Sequence, residues 1–185
     1  MTKADLRRIA KQLRDDSVAA MSTAERCAAA IILAEKITEQ LRAAKTVAVY
    51  LPIGSEMDTL PLIDRLVACD VQIALPQVRG RRDTMRFLAW APGDALPEGP
   101  MGLRQPGEEA PEVVPDVILT PLLAFDSALN RLGYGAGHYD RAFAANMAAR
   151  RIGISWGLQC VDDVPIESWD VPLHAVATET DWITT

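Results

Sequence analysis

The residues best suited to chemistry lie in one stretch, Arg131-Leu-Gly-Tyr-Gly-Ala-Gly-His-Tyr-Asp-Arg141. Gly133, Gly135 and Gly137 alternate there, just ahead of an expected helix. Lacking a Cβ, these positions reach positive φ, so successive amide N–H groups can converge on one anion. The helix that follows adds the positive end of its dipole. The spacing is neither the dinucleotide G-x-G-x-x-G nor the P-loop G-x-x-x-x-G-K-[ST]. A phosphate cradle and a tight turn without ligand remain, and three glycines alone do not choose between them. The flanking charges favour the cradle. Arg131 and Arg141 suit phosphoryl oxygens, and Asp140 is a hard carboxylate of the kind magnesium takes.

Other candidates are weaker one by one. Glu56 follows an apolar run ending at Leu51, where open α/β sheets bind ligands, although a helix N-terminal charge reads equally well. Lys3, Arg7, Lys11 and Arg14 fall on one side of an N-terminal helix, beside an apolar stripe of Leu6, Ile9, Ala10 and Leu13. The pattern alone makes them a solvated basic edge. Asp170 reads as solvated, Asp126 as a helix or turn cap, and His174 as structural. Trp156 and Tyr139 read as core, with stacking on a flat ligand as the second reading. Only two histidines are present, one of them inside the loop, so no Ser-His-Asp arrangement can be drawn.

The elements that must position these residues follow from periodicity. Helices are expected from Lys3 to about Asp16 and, opened by a capping box of Ser22 and Glu25, on to about Leu41. The short β-branched run Thr46 to Leu51 reads as a strand buried on both faces. Pro61 to Cys69 reads as a helix with proline in its first turn, and Val71 to Leu75 as the next strand. Strands are also expected at Met85–Trp90, Val117–Thr120 and Arg151–Trp156, with a helix from Tyr139 to about Ala149. Between them, Ala91 to Pro115 is dense in Pro and Gly and reads as a long surface connection, of a length that is often functional. Strand–helix–strand alternation predicts a single α/β domain over residues 1–185, with a mainly parallel sheet flanked by helices.

Bulk properties narrow the function. The 185 residues are 49% hydrophobic and 24% charged, with net charge −6 and no long block of one sign. An acidic surface has no electrostatic footing for nucleic acid, although a small anionic substrate needs only local positive charge. Cys27, Cys69 and Cys160 are too scattered for a zinc site or disulfide framework and read as buried or half-buried free thiols. The basic start lacks the apolar segment of a signal peptide, and no apolar run is long enough to span a membrane. A cytoplasmic monomer acting on small molecules is expected.

The segment Pro121 to Arg141 resembles the signature of the 5-formyltetrahydrofolate cyclo-ligases, approximately P-x-x-A-F-D-x-x-G-x-R-L-G-x-G-x-G-[YF]-Y-D-R. The likeness continues in Lys3 with Arg7, in Glu56 to Thr59, in Gly102-Leu-Arg-Gln-Pro106, in Gly153 to Gln159, in Val164 to Asp170, and in Val176-Ala-Thr-Glu179. It departs at Leu129, where the family has Gly, and at Ala136, where members carry Gly, Lys or another residue. His138 stands for the first of two aromatics, and Trp169 for a common His.

The resemblance implies a Rossmann-like fold of the type shared with ribose-5-phosphate isomerases and CoA transferases. It also implies cyclisation of 5-formyltetrahydrofolate to 5,10-methenyltetrahydrofolate, with ATP as co-substrate and Mg2+ as cofactor. By the same resemblance Lys3, Arg7, Arg131, Leu132, Gly133, Tyr134, Gly135, Ala136, Gly137, His138 and Tyr139 hold ATP. Leu51, Glu56 and Tyr134 to His138 hold the folate, Asp140 and Asp170 hold magnesium, and Arg131 and Tyr139 are the catalytic candidates. Two other readings keep the fold: a folate- or nucleotide-binding relative without turnover, and a sugar-phosphate isomerase or CoA-transferase-like enzyme.

Overall fold

The computed structural model describes residues 2–81 and 83–185, with Met101 described in its backbone alone. Two helices open the chain, α1 (Lys3–Ala20) and α2 (Thr23–Gln40). Each starts at a capping box, Thr2 with Asp5 and Ser22 with Glu25, which satisfies amides that the first turn leaves without partners. There follow β1 (Thr46–Ala48), α3 (Leu60–Ala68), β2 (Gln72–Gln77), β3 (Arg86–Ala89), β4 (Val117–Pro121), β5 (Ala124–Phe125) and β6 (Arg131–Leu132). The chain ends with α4 (His138–Ala145), β7 (Arg150–Ile154), β8 (Ala175–Ala177) and β9 (Trp182–Ile183).

Seven strands form one sheet in the order β3-β2-β1-β4-β7-β8-β9. The five central strands run parallel, and β3 and β9 are antiparallel edges. The α/β class with a mainly parallel sheet is as expected. From β1 the chain first builds outward to β2 and then returns to lay β4 on the other side. The strand order therefore reverses between β1 and β4, and the crevice beyond the carboxyl ends of those strands is where such sheets take ligands.

A core lies on each side of the sheet. One packs Leu33, Ile37, Leu62, Ile63 and Leu66 of α2 and α3 against Val47, Leu75, Leu119 and Ile154. The other packs Phe143 of α4 with Phe87, Ile118, Phe125 and Val176. The long connection after β3 is tied down by Gln105, whose buried side chain bonds both the N–H and the C=O of Val78.

Several local expectations change. Ile9 and Leu13 of α1 are about half exposed, and the buried stripe is Leu6, Ala10, Arg14 and Val18. α4 ends at Ala145, where the side chain of Asn146 takes the carbonyl of Ala142. The β5–β6 hairpin and the strands β8 and β9 were not expected, because two- and three-residue strands carry almost no periodicity. The three cysteines are free but exposed, because each sits on an outward face or an element end.

Candidate functional site

α1 delivers cations along one face. The helical period puts Lys3, Arg7 and Arg14 nearly in line. Leu6 and Ala10 pack on Leu123, Ala124, Leu132 and Val164, which turns that line toward the β5–β6 hairpin and the glycine loop leaving it. Arg7 Nε donates to the Gly133 carbonyl at 2.9 Å.

The loop itself is open backbone. Gly135 has φ +94° and Gly137 φ +67°, the latter at the N-cap of α4. A Cβ at Gly135 would stand 3.2 Å from the Arg7 guanidinium carbon, so the loop backbone there lies close against the Arg7 side chain. Among the described residues, no amide from 133 to 137 donates a hydrogen bond to another protein group. A run of unpaired donors at a helix N-terminus is a ready anion site.

Arg131 lies beneath this loop. Its side chain is only 5% exposed, and it pairs with Asp140 Oδ1 at 2.5 Å and donates to the Val171 carbonyl. Its guanidinium also stands 4.5 Å from the centre of the Phe143 ring. Burial pushes its pKa down, and the Asp140 carboxylate opposes that. Lys3 Nζ sits 2.6 Å from Asp170 Oδ2 and 3.2 Å from Glu167. Partial burial disfavours its charge, but the two carboxylates outweigh this and raise its pKa. Asp170 is likewise held low: burial pushes it up, and Lys3 and the Glu167 amide overcome that.

Asp140 and Asp170 are thus each bound to a cation through one oxygen, and the main chain at Val171 links them, its amide 3.3 Å from Asp140. Among the described residues no cluster of three or more His, Cys, Asp or Glu side chains forms a metal cage. Two carboxylates beside a phosphate cradle nevertheless fit magnesium, which usually takes one or two protein carboxylates and completes its shell with phosphates and water. Arg141, whose guanidinium lies against Gly137, donates to the carbonyls of Arg81 and Asp83 and to His138. Burial and Arg141 both lower the His138 pKa, which keeps the ring neutral at pH 7.

A second half of the site faces the loop. Tyr50 donates to the Met57 carbonyl, and Thr59 donates to the Tyr50 carbonyl, bracing the segment between β1 and α3. That segment carries Glu56, whose Oε2 accepts from the Ile53 amide at 2.9 Å. Its Oε1 accepts from the Tyr134 hydroxyl at 2.6 Å. Burial raises the Glu56 pKa, and these two bonds and the Arg14 charge pull it back. Tyr134 is half exposed, and its hydroxyl is pushed far up by burial and by Glu56. Leu51 is half-buried at the edge of the core. Tyr139 is also half-buried, tilted against Phe143 at 6.0 Å between ring centres, and its pKa is raised by burial and by Glu56.

An open glycine loop, cations from α1 and a carboxylate beyond β1 are therefore joined by the Arg7–Gly133 and Tyr134–Glu56 hydrogen bonds. The 5-formyltetrahydrofolate cyclo-ligase family profile matches residues 1–179. The chain belongs to that family. A 5-formyltetrahydrofolate cyclo-ligase of Escherichia coli is 35% identical over 142 residues, 73% of this chain and 78% of that protein. One from Haemophilus influenzae is 33% identical, over 73% and 76%. The solved 5,10-methenyltetrahydrofolate synthetase of Aquifex aeolicus superposes with TM-score 0.83 at 27% identity, covering 100% of this chain and 93% of that one. With the cyclo-ligase family comes the class of chemistry: the chain is an ATP-dependent ligase acting on a reduced folate.

Several cyclo-ligase motif residues hold the fold. Asp126 caps its own turn, accepting from Ala128, Asn130 and Val164. Gln159 donates to the carbonyls of Leu122 and Leu123, and Glu179 accepts from Gly157. Gly153 lets Leu122 and Leu173 close in, since a Cβ there would meet each at 2.7 Å. Leu129, standing where the family has Gly, adopts a left-handed φ of +63° and buries its side chain. His174 bonds Arg151, and the buried Trp156 donates to the Ser55 carbonyl.

Arg14 overturns its reading as a surface charge: it is 2% exposed. Its alignment with Lys3 and Arg7 was the available signal. Lys11 does sit at the surface, paired with Asp15.

Proposed function

We propose that ATP lies with its phosphates on the amides of Gly133 to Gly137, between Arg7 and the start of α4, and that the folate lies against Glu56 and Leu51. The Tyr134–Glu56 hydrogen bond carries this reading. Tyr134 belongs to the phosphate loop and Glu56 to the segment after β1, and their 2.6 Å contact supports placing both substrates side by side for a single phosphoryl transfer. Leu132, Ala136, His138 and Tyr139 complete the nucleotide side, and residues 134 to 138 border both substrates.

The formyl oxygen is a poor leaving group. In the proposed reaction it attacks the γ-phosphorus of ATP, and the bond to ADP breaks. The resulting iminium phosphate is attacked at carbon by the neighbouring amine of the folate. Phosphate then departs with the amine proton, leaving the methenyl product. Such chemistry asks the protein for alignment and for neutralised charge, not for a covalent intermediate. Lys3, Arg7 and the loop amides neutralise the phosphates. Arg131 acts from beneath, fixing Asp140 and Val171 while adding its charge to the field at the loop. Tyr139 forms a wall between Glu56 and Arg131. Glu56 accepts from the pterin N–H donors, since each carboxylate oxygen has a lone pair beyond the one already used. Asp140 and Asp170 are the residues that would hold magnesium, which supplies charge neutralisation on the transferring phosphates. The chain works as one cyclo-ligase domain over 1–185, as a cytoplasmic monomer.

Hydrogen exchange tests the placement. With ADP and magnesium, the amides of 133–137 should become protected, while those of the α2–α3 side are unchanged. Unprotected loop amides in a protein saturated with nucleotide would move the phosphates elsewhere.

A further inference from the structure

Arg14 has no place in the mechanism above, yet an arginine 2% exposed is costly to bury without a purpose. Its Nε donates to Ser55 Oγ at 2.9 Å. Ser55 is held from two further sides, by a hydrogen bond to Asp15 and by Trp156 Nε1 donating to its carbonyl at 3.0 Å. The next residue is Glu56. On its other side the Arg14 guanidinium carbon stands 5.9 Å from the centre of the Tyr134 ring, and Tyr134 gives its hydroxyl proton to Glu56. Arg14 therefore touches Tyr134 and the neighbour of Glu56, the two sides of a contact that connects the phosphate loop to the folate segment.

We infer that Arg14 is a positioning residue for the folate, clamping Ser55 and Tyr134 so that Glu56 is presented to the pterin as an aligned carboxylate. The inference rests on the proposed placement of the folate at Glu56. The geometry makes it electrostatic as well as mechanical. Glu56 is penalised by burial, and the charged or titratable groups around it are Arg14 from α1, Tyr134 and Tyr139 from the loop and α4, and Tyr50 from the segment after β1. Arg14 is the cation of that set that lowers the Glu56 pKa. The tyrosines are neutral at any working pH, because burial raises all three.

The sign of the effect follows. Removing Arg14 raises the Glu56 pKa further, so the carboxylate is protonated at a higher pH. The acid limb of kcat/KM for folate, which reports the free enzyme, then shifts upward. A helix-packing role would lower stability without moving that limb.

The test compares Arg14→Met, Arg14→Lys and Ser55→Ala, each with thermal unfolding and with folate and ATP titrations across pH. Arg14→Met is expected to raise the folate KM at least about tenfold at pH 7, the loss of a charge-assisted bond. The ATP KM should change less than about twofold, and the acid limb should move to higher pH. Arg14→Lys keeps the charge and should restore the limb, although not the full folate KM. Ser55→Ala should raise the folate KM with the limb unmoved. If Arg14→Met unfolds, the lysine and Ser55 variants still decide. The inference fails if Arg14→Lys or Arg14→Met raises the folate and ATP KM equally with an unshifted limb. Loss of the folate effect in Glu56→Gln, with turnover intact, would instead overturn the placement of the folate.

Discussion

The two halves of the proposed cleft are built on opposite principles. The phosphate half is made of main chain: unpaired amides from 133 to 137, two glycines at positive φ, and cations already paired with Asp140, Asp170 and Glu167. The folate half is made of side chains, with Glu56 half-buried and its two oxygens already accepting. A backbone cradle does not depend on which side chains surround it, and so it should tolerate Ala136 and His138 in place of the family's residues. A side-chain site depends on each hydrogen bond, and so it needs supports such as Ser55, Tyr50 and Arg14. Changes to the first half should act through conformation, and changes to the second through chemistry.

The sharpest way to break the phosphate half is at Gly137. A valine there must hold φ +67° with its Cβ 3.0 Å from Arg141. A β-branched residue resists that region, so the loop should rearrange and ATP-dependent turnover fall by a factor on the order of 1,000 or more. ADP titration should show nucleotide binding lost as well. Arg131→Ala comes next. Breaking a pair this buried should cost roughly 3 kcal/mol of stability, because Asp140 is left without its cation. Tm and kcat should therefore fall together; a drop in kcat at unchanged Tm would show that Arg131 acts on the phosphates alone. On the folate half, Glu56→Gln keeps the shape but loses a lone-pair acceptor and the charge. Steady-state kinetics should show the folate KM raised about tenfold or more and the ATP KM nearly unchanged.

Leu129 offers a test outside both halves. Replacing it with glycine relieves a left-handed leucine, worth roughly 1–2 kcal/mol. It also empties a buried leucine site, at a cost of about 2–5 kcal/mol. Packing wins, so Leu129→Gly should lower stability by about 1–3 kcal/mol in denaturant unfolding while leaving both KM values alone. The smallest effect is expected from Ala136→Lys, which adds a cation to a cradle that works without it. A fall of about twofold in the ATP KM, weakening with salt, is the expected reading.

What the sequence disclosed divides along the same line. The glycine loop was legible because glycine spacing is a backbone requirement, and backbone requirements are written in residue type. The capping box at Ser22 and Glu25 placed the start of α2 for the same reason. The face of α1 was misread. Leu13 looked like core and Arg14 like surface, yet Leu13 is 51% exposed and Arg14 2%. Hydropathy assigns a face by averaging, and it cannot see that Ser55 and Tyr134 wait to receive a guanidinium. The place of Arg131 at the foot of the glycine loop was legible, but its partner at Val171 was not, because that contact spans 40 residues of chain and runs to a carbonyl, which every residue has. The β5–β6 hairpin that aims the loop was invisible at two residues per strand.

The central claim is that one cleft joins ATP and a reduced folate for reaction. The most direct measurement mixes the purified chain with 5-formyltetrahydrofolate, ATP and magnesium. It follows the near-ultraviolet absorbance of the methenyl product together with ADP. Product and ADP should appear in equal amounts, and neither should form without ATP or with Gly137→Val. Folded protein that binds both ligands yet forms no ADP, or ADP that accumulates without the methenyl product, would contradict it.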